Sequence, residues 1–145
     1  QLGAVMLLSV LVIIWLADIA AYFVGRAFGR SKLAPHISPG KTWAGVCGAI
    51  GGVGVAALIA WTGFPDAPLY TNRLLEGFGI PLAALALSSL VGVSIIGDLA
   101  ESLLKRQANA KDSSHLLPGH GGFFDRLDSM FALLPAAALL WTWAK

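Results

Sequence analysis

The densest chemistry in this chain lies between Gly97 and Asp128. Asp98 and Ser102 stand four residues apart and Lys105 follows three later, so one helix face carries all three. Asp125 and Asp128 share a second face at a spacing of three. Between the two faces lie Arg106, Lys111, Asp112 and the turn Leu117-Pro118-Gly119-His120-Gly121-Gly122, with Arg126 inside the closing Asp-Arg-Leu-Asp run. Proline and glycine fix a turn in which backbone amides can come close to a ligand. Two carboxylate-bearing helix ends facing a basic, glycine-rich loop suit Mg²⁺ and a polyphosphate. Mg²⁺ binds hard oxygens, typically one or two carboxylates plus substrate phosphates. Lys105, Arg106, Lys111 and Arg126 can neutralise the phosphate oxygens. A collar of snorkelling cations would explain Lys105 and Arg106, but not the gathering of Asp98, Asp112, Asp125 and Asp128 at one boundary. His120 has no second His or Cys at ligand spacing, which argues against zinc.

Two further stretches carry polar groups in apolar surroundings. Ser38-Pro39-Gly40-Lys41-Thr42 reads as a turn leading into a helix at Trp43. It is not a phosphate-binding P-loop, because the glycine required five residues before Gly40 is Pro35. A helix N-terminus with Lys41 beside it still suits an anion; the plainer reading is a Thr42 N-cap flanked by interfacial Lys and Trp. Asp18 lies about two turns from the end of the first apolar run, with Tyr22 and Gly25 on its face. A carboxylate at that depth is costly unless it is paired or lines a polar cavity, so it serves either a site or a structural ion pair.

The elements that must position these groups are membrane helices. Of 145 residues, 57% are hydrophobic and 12% charged, against about a quarter charged in soluble domains; mean hydropathy is +0.74. Residues 43–63, 77–97 and 129–144 carry no charge, and 2–25 carry only Asp18. Each run approaches the roughly 20 residues that span about 30 Å of hydrocarbon, the last being short for a full span. The expected fold is therefore all-α, a polytopic bundle of about four transmembrane helices in one membrane domain, 1–145, with a catalytic loop at the cytoplasmic face. The segment 64–79, with Pro65, Pro68, Gly77 and Gly79, is expected to be a turn-rich connection.

Eight of the ten basic residues fall in two segments, Arg26, Arg30, Lys32 and Lys41 in one, Lys105, Arg106, Lys111 and Arg126 in the other. The positive-inside bias places both in the cytoplasm and both termini outside. The apolar run from Leu2 has no basic leader, which argues against a signal peptide and for a missing start. Ala44, Gly48, Gly52, Ala56 and Ala60 recur every fourth residue and make a smooth face for close helix approach, leaving a homodimer open. The G-x-G-x-x-A spacing from Gly52 to Ala57 lacks the strand a dinucleotide site needs. The single Cys47 excludes an internal disulfide, and no nucleic-acid partner is expected.

At the residues of the first paragraph the chain closely resembles the phosphatidate cytidylyltransferase (CDP-diacylglycerol synthase) family. Its signature is matched by Ser102, Lys105-Arg106, Lys111-Asp112, Leu117 to Gly122 and Asp125-Arg126-Leu127-Asp128, with matching spacing. Asp18 to Arg26 and Ser38 to Trp43 agree as well. The chain departs from many relatives at Ile19, where they carry Thr or Ser, and at Ala44, where they carry Glu.

The resemblance implies the C-terminal catalytic portion of a longer fold, in the bacterial inner (plasma) membrane, with CTP and phosphatidate converted to CDP-diacylglycerol and pyrophosphate. By resemblance Asp98 and Asp125 would ligate Mg²⁺, with K⁺ near Ser102. Lys105, Arg106, Lys111 and Arg126, with Ser38, Lys41, His120, Gly121 and Gly122, would hold the triphosphate or the lipid headgroup, and Asp112 and Asp128 would orient them. A CTP-dependent polyprenol or lipid kinase and a cation-coupled transporter using Asp18 and Asp98 are the alternatives, and an inactive fragment is a third.

Overall fold

The computed structural model describes residues 2–108 and 128–144. Lys111, Asp112, His120, Gly121, Gly122, Asp125 and Arg126 lie outside the described residues, and Asp128 is described only as the first residue of the last helix. Four helices run in chain order: α1 (Leu2–Phe28), α2 (Trp43–Gly63), α3 (Tyr70–Gln107) and α4 (Asp128–Trp143), with a two-stranded antiparallel hairpin, β1 (Lys32–Ala34) and β2 (Ser38–Thr42), between α1 and α2. The all-α expectation holds. The hairpin is an addition to it, and the turn expected at 38–42 is a strand.

Three helices, α1, α2 and α3, are long and apolar enough to cross a membrane. The chain is thus a membrane protein. The fourth, 16 residues long with Pro135 inside it, reaches about 24 Å at 1.5 Å per residue, short of the roughly 30 Å of hydrocarbon. It packs along α3. The core is a seam of Ile13, Ile14 and Ala17 from α1, Ala49, Val53 and Ala57 from α2, Leu74, Ala83, Leu87 and Leu90 from α3, and Leu133 and Ala137 from α4. The outer faces keep large apolar side chains exposed, among them Val55, Leu58, Leu82 and Leu85, which lipid rather than water would solvate.

Small residues set the tightest contact. A Cβ on Gly48 would lie 2.5 Å from Val24 Cβ, and one on Gly52 would lie 2.6 Å from Ala20 Cβ. Lipid tails are as apolar as leucine, so close backbone approach and van der Waals contact, rather than exclusion of water, hold α1 to α2. The buried centre of that face is Gly45, Ala49, Val53 and Ala57, one residue over from the stripe expected at 44, 48, 52, 56 and 60, which forms its half-buried edge.

The connection expected over 64–79 is shorter, 64–69, because buried side chains hold the helix from Tyr70 onward. Asn72, fully buried, donates from Nδ2 to the carbonyls of Phe64 at 2.7 Å and Ala67 at 3.2 Å. The Tyr70 amide donates to Ser9 Oγ at 3.0 Å and the Tyr70 hydroxyl to the Ala137 carbonyl at 2.8 Å. The helix is broken at Gly79, whose φ of 71° and ψ of 170° only glycine adopts readily. Pro81 follows, where its missing N–H falls in a new first turn. The part of α3 after Gly79 is about 42 Å long at 1.5 Å per residue, so it outreaches the hydrocarbon and carries Lys105 and Arg106 at its far end.

Candidate functional site

Residues from all three long helices and the hairpin line one cleft of about 630 Å³, within the range of small-molecule sites. α1 supplies Asp18, Tyr22, Gly25 and Arg26, on one face by their spacing. The hairpin supplies Lys32, Ser38, Gly40 and Lys41, α2 begins at its edge, and α3 closes it with Ser94, Ile95 and Asp98. Among the described lining residues two carboxylates thus face three cations.

Local structure explains how Lys41 is aimed. Thr42 is the N-cap of α2, and its hydroxyl accepts from the Gly45 amide at 3.1 Å. That satisfies one of the amides a helix start leaves unpaired. Thr42 is buried against Gly25 and Gly29. A Cβ at Gly25 would meet its hydroxyl at 2.9 Å, and one at Gly29 would meet its methyl at 2.7 Å. The Trp43 amide donates to the Ser31 carbonyl at 3.1 Å, closing the hairpin base. Lys41 therefore leaves a fixed backbone. Its ammonium forms an ion pair with Asp98 of α3 and lies 3.5 Å from the Ile95 carbonyl. Both side chains are part-buried, 22% and 33% exposed. On α1, Arg26 donates to the Tyr22 hydroxyl at 2.8 Å.

Of the site residues expected from sequence, Ser38, Lys41 and Asp98 come together in this cleft. Ser102, Lys105 and Arg106 continue along α3 beyond it. Lys105 pairs with Glu101 at 3.3 Å, one turn back on its own helix, and Arg106 is exposed. Asp18, undecided between a site and a structural pair, lines the cleft. Ser94 was missed. It precedes Asp98 by four residues, as Asp98 precedes Ser102, so the stripe 94, 98, 102 was legible as one helix face. Lys32 was read only as part of a charge bias and Arg26 as that and as part of a matching stretch, since spacing alone does not show that α1 and the hairpin bring them to the rim of one cleft.

The polar donors of the cleft are all hard: the carboxylates of Asp18 and Asp98 and the hydroxyls of Tyr22, Ser38 and Ser94. That chemistry fits Mg²⁺ rather than a thiophilic metal. Among the described residues no three His, Cys, Asp or Glu side chains come together. Asp98 can supply one carboxylate, and phosphate oxygens and water commonly complete such a shell.

Comparison with known proteins covers nearly the whole chain. A model described as the cytidylyltransferase family matches residues 1–143. The chain is 51% identical over 137 residues to a phosphatidate cytidylyltransferase of Pseudomonas aeruginosa, covering 94% of this chain and 47% of that protein. It is 47% identical over 135 residues to the Haemophilus influenzae phosphatidate cytidylyltransferase, covering 92% and 44%. It is 41% identical over 138 residues to that of Bacillus subtilis, covering 93% and 46%. The chain spans about half the length of the curated relatives it matches.

Proposed function

Because the chain belongs to the cytidylyltransferase family, we propose that it carries the catalytic part of a phosphatidate cytidylyltransferase, making CDP-diacylglycerol and pyrophosphate from CTP and phosphatidate. The observation that carries this reading is the cleft that joins Asp98, Lys41 and Ser38, within a chain so similar to proteins of that name. CTP arrives from water and phosphatidate from lipid, so their phosphates must meet at a polar pocket among membrane helices. The cleft is such a pocket.

The phosphatidate phosphate oxygen is already anionic and attacks the α-phosphorus of CTP; the bond to the β-phosphate oxygen breaks and pyrophosphate leaves. No strong protein base is needed, so alignment and charge neutralisation carry the catalysis. Mg²⁺, when bound, supplies charge neutralisation to the phosphates. Asp98 would hold it, with Asp125 as the second carboxylate, and K⁺ would sit near Ser102. Ser38 and Lys41 on the hairpin bind phosphate oxygens, joined by Lys105, Arg106, Lys111 and Arg126 and by His120, Gly121 and Gly122. Asp112 and Asp128 orient those cations. The cleft faces the cytoplasm of a bacterial inner membrane. The homodimer that the small-residue stripe left open loses that basis, since Gly48 and Gly52 pack against α1 of the same chain.

The test is a turnover assay on purified protein with phosphatidate and CTP labelled at the α-phosphorus. Label should enter the lipid phase with release of unlabelled pyrophosphate, and the Asp98→Asn variant should fall by at least about 100-fold, as for loss of a group neutralising phosphoryl-transfer charge. Lipid labelled only from the γ-position, with CDP released, would instead mark a lipid kinase. Ion flux into liposomes without CTP would mark a transporter.

A further inference from the structure

We propose that Lys41 is a tethered counter-cation for Asp98 that competes with the divalent metal and is released to the nucleotide phosphates when the metal binds. The inference rests on the metal role of Asp98 proposed above and goes beyond it, because it makes one residue a ligand of two successive partners.

The ion pair between Lys41 and Asp98 joins residues 57 positions apart, on the hairpin and on α3. A carboxylate among membrane helices is costly unless paired. Among the described residues Lys41 is the charge that pairs Asp98, and the Ile95 carbonyl gives its ammonium a second acceptor. A lysine is suited to this role. Its compact ammonium sits where a metal ion would contact the carboxylate, and its four-carbon stem can swing without moving the backbone. That backbone is fixed by the Thr42 cap and by the glycines packed on it. Ser38, Gly40 and Lys32 border the same cleft, so the released ammonium stays within reach of a phosphate bound there. Metal entry and phosphate capture are thereby coupled: each metal that takes Asp98 frees one positive charge for the triphosphate. In the empty protein the pair keeps the carboxylate neutralised and the cation out of the bilayer.

Competition has a measurable sign. An internal competitor lowers the apparent affinity in proportion to the fraction of time the site is open. Mn²⁺ binding to the purified protein, without nucleotide or lipid, is read from the electron paramagnetic resonance signal of free Mn²⁺. Lys41→Met should bind Mn²⁺ about tenfold more tightly than wild type if the pair is closed about nine-tenths of the time. Lys41→Gln, which keeps a hydrogen-bonding group and guards against misfolding of the apolar variant, should also bind more tightly. Lys41→Arg, which keeps the pair, should bind as weakly as wild type. Lys32→Met removes a cleft cation not paired with Asp98 and should change affinity by no more than about twofold through the general field. Asp98→Asn should lose binding in every background. In turnover, Lys41→Met should need less Mg²⁺ yet show a raised KM for CTP, opposite movements that damage to the fold would not produce.

The inference is overturned, with the metal role of Asp98 intact, if Asp98→Asn loses Mn²⁺ while both neutral Lys41 variants bind no more tightly than wild type. It is also overturned if Lys32→Met gives the same gain as Lys41→Met. Absence of any Asp98-dependent Mn²⁺ binding would overturn both the inference and the metal assignment beneath it.

Discussion

Thr42 and Lys41 show how adjacent residues divide a structural and a chemical task. The hydroxyl of Thr42 closes the first turn of α2 while the next side chain back reaches Asp98. Replacing Thr42 by Ala should cost about 1 kcal/mol, the usual worth of an N-cap, and Thr42→Ser should restore most of it. Both are measured by thermal unfolding in detergent. Asn72 makes a different kind of commitment. Its buried amide gathers the carbonyls of Phe64 and Ala67 and so fixes the short connection before α3. Asn72→Ala leaves those carbonyls without that donor and should destabilise by about 1–3 kcal/mol, with turnover per folded molecule unchanged because the residue lies outside the cleft. A loss of turnover at unchanged stability would contradict that separation.

Between elements, the contact of α1 with α2 decides where the cleft opens. Gly25, Gly45 and Gly48 let the two helices approach at the end where the hairpin begins, and Asp18, Tyr22 and Arg26 of α1 line the same cleft as Lys41. Gly48→Leu would force a side chain into Val24 and the Ala20 carbonyl. Overpacking of this kind typically costs about 1–3 kcal/mol, and here it should also widen the cleft. The expected outcome is a lower unfolding midpoint together with weaker Mn²⁺ binding. Gly54→Leu, on the outer face where an added Cβ meets nothing within 4 Å, should change neither. Equal effects of the two variants would show that the α1–α2 contact does not position the site.

For the molecule as a whole, the charge bias and the cleft lie at the same end. Arg26, Lys32 and Lys41 line the cleft, and Arg106 closes the long helix that carries Asp98. Eight of the ten basic residues fall in the two segments read from the sequence, and under the proposed function the positive-inside rule would turn that end toward the cytoplasm. Gly40→Cys in a Cys47→Ala background tests this directly, since an added Cβ at Gly40 also meets nothing within 4 Å. A membrane-impermeant thiol reagent should label it in inverted vesicles and not in intact spheroplasts; the reverse pattern would invert the proposed topology. Removal of divalent metal with a chelator should abolish turnover, and Mg²⁺ should restore it.

Much of this was open to reading in one dimension, and for a physical reason. The cost of placing charge in hydrocarbon writes the spans into the sequence as uncharged runs, and the helix period writes Asp98 and Ser102 onto one face. What no period encodes is which distant groups meet. The pairing of Lys41 with Asp98, the early start of α3 at Tyr70 held by Ser9 and Ala137, and the gathering of three helices and the hairpin around one cleft each depend on contacts between segments far apart in the chain. Such contacts are fixed by shape, by glycines that admit a neighbour's backbone and by buried donors finding acceptors, and only the folded arrangement of helices decides them.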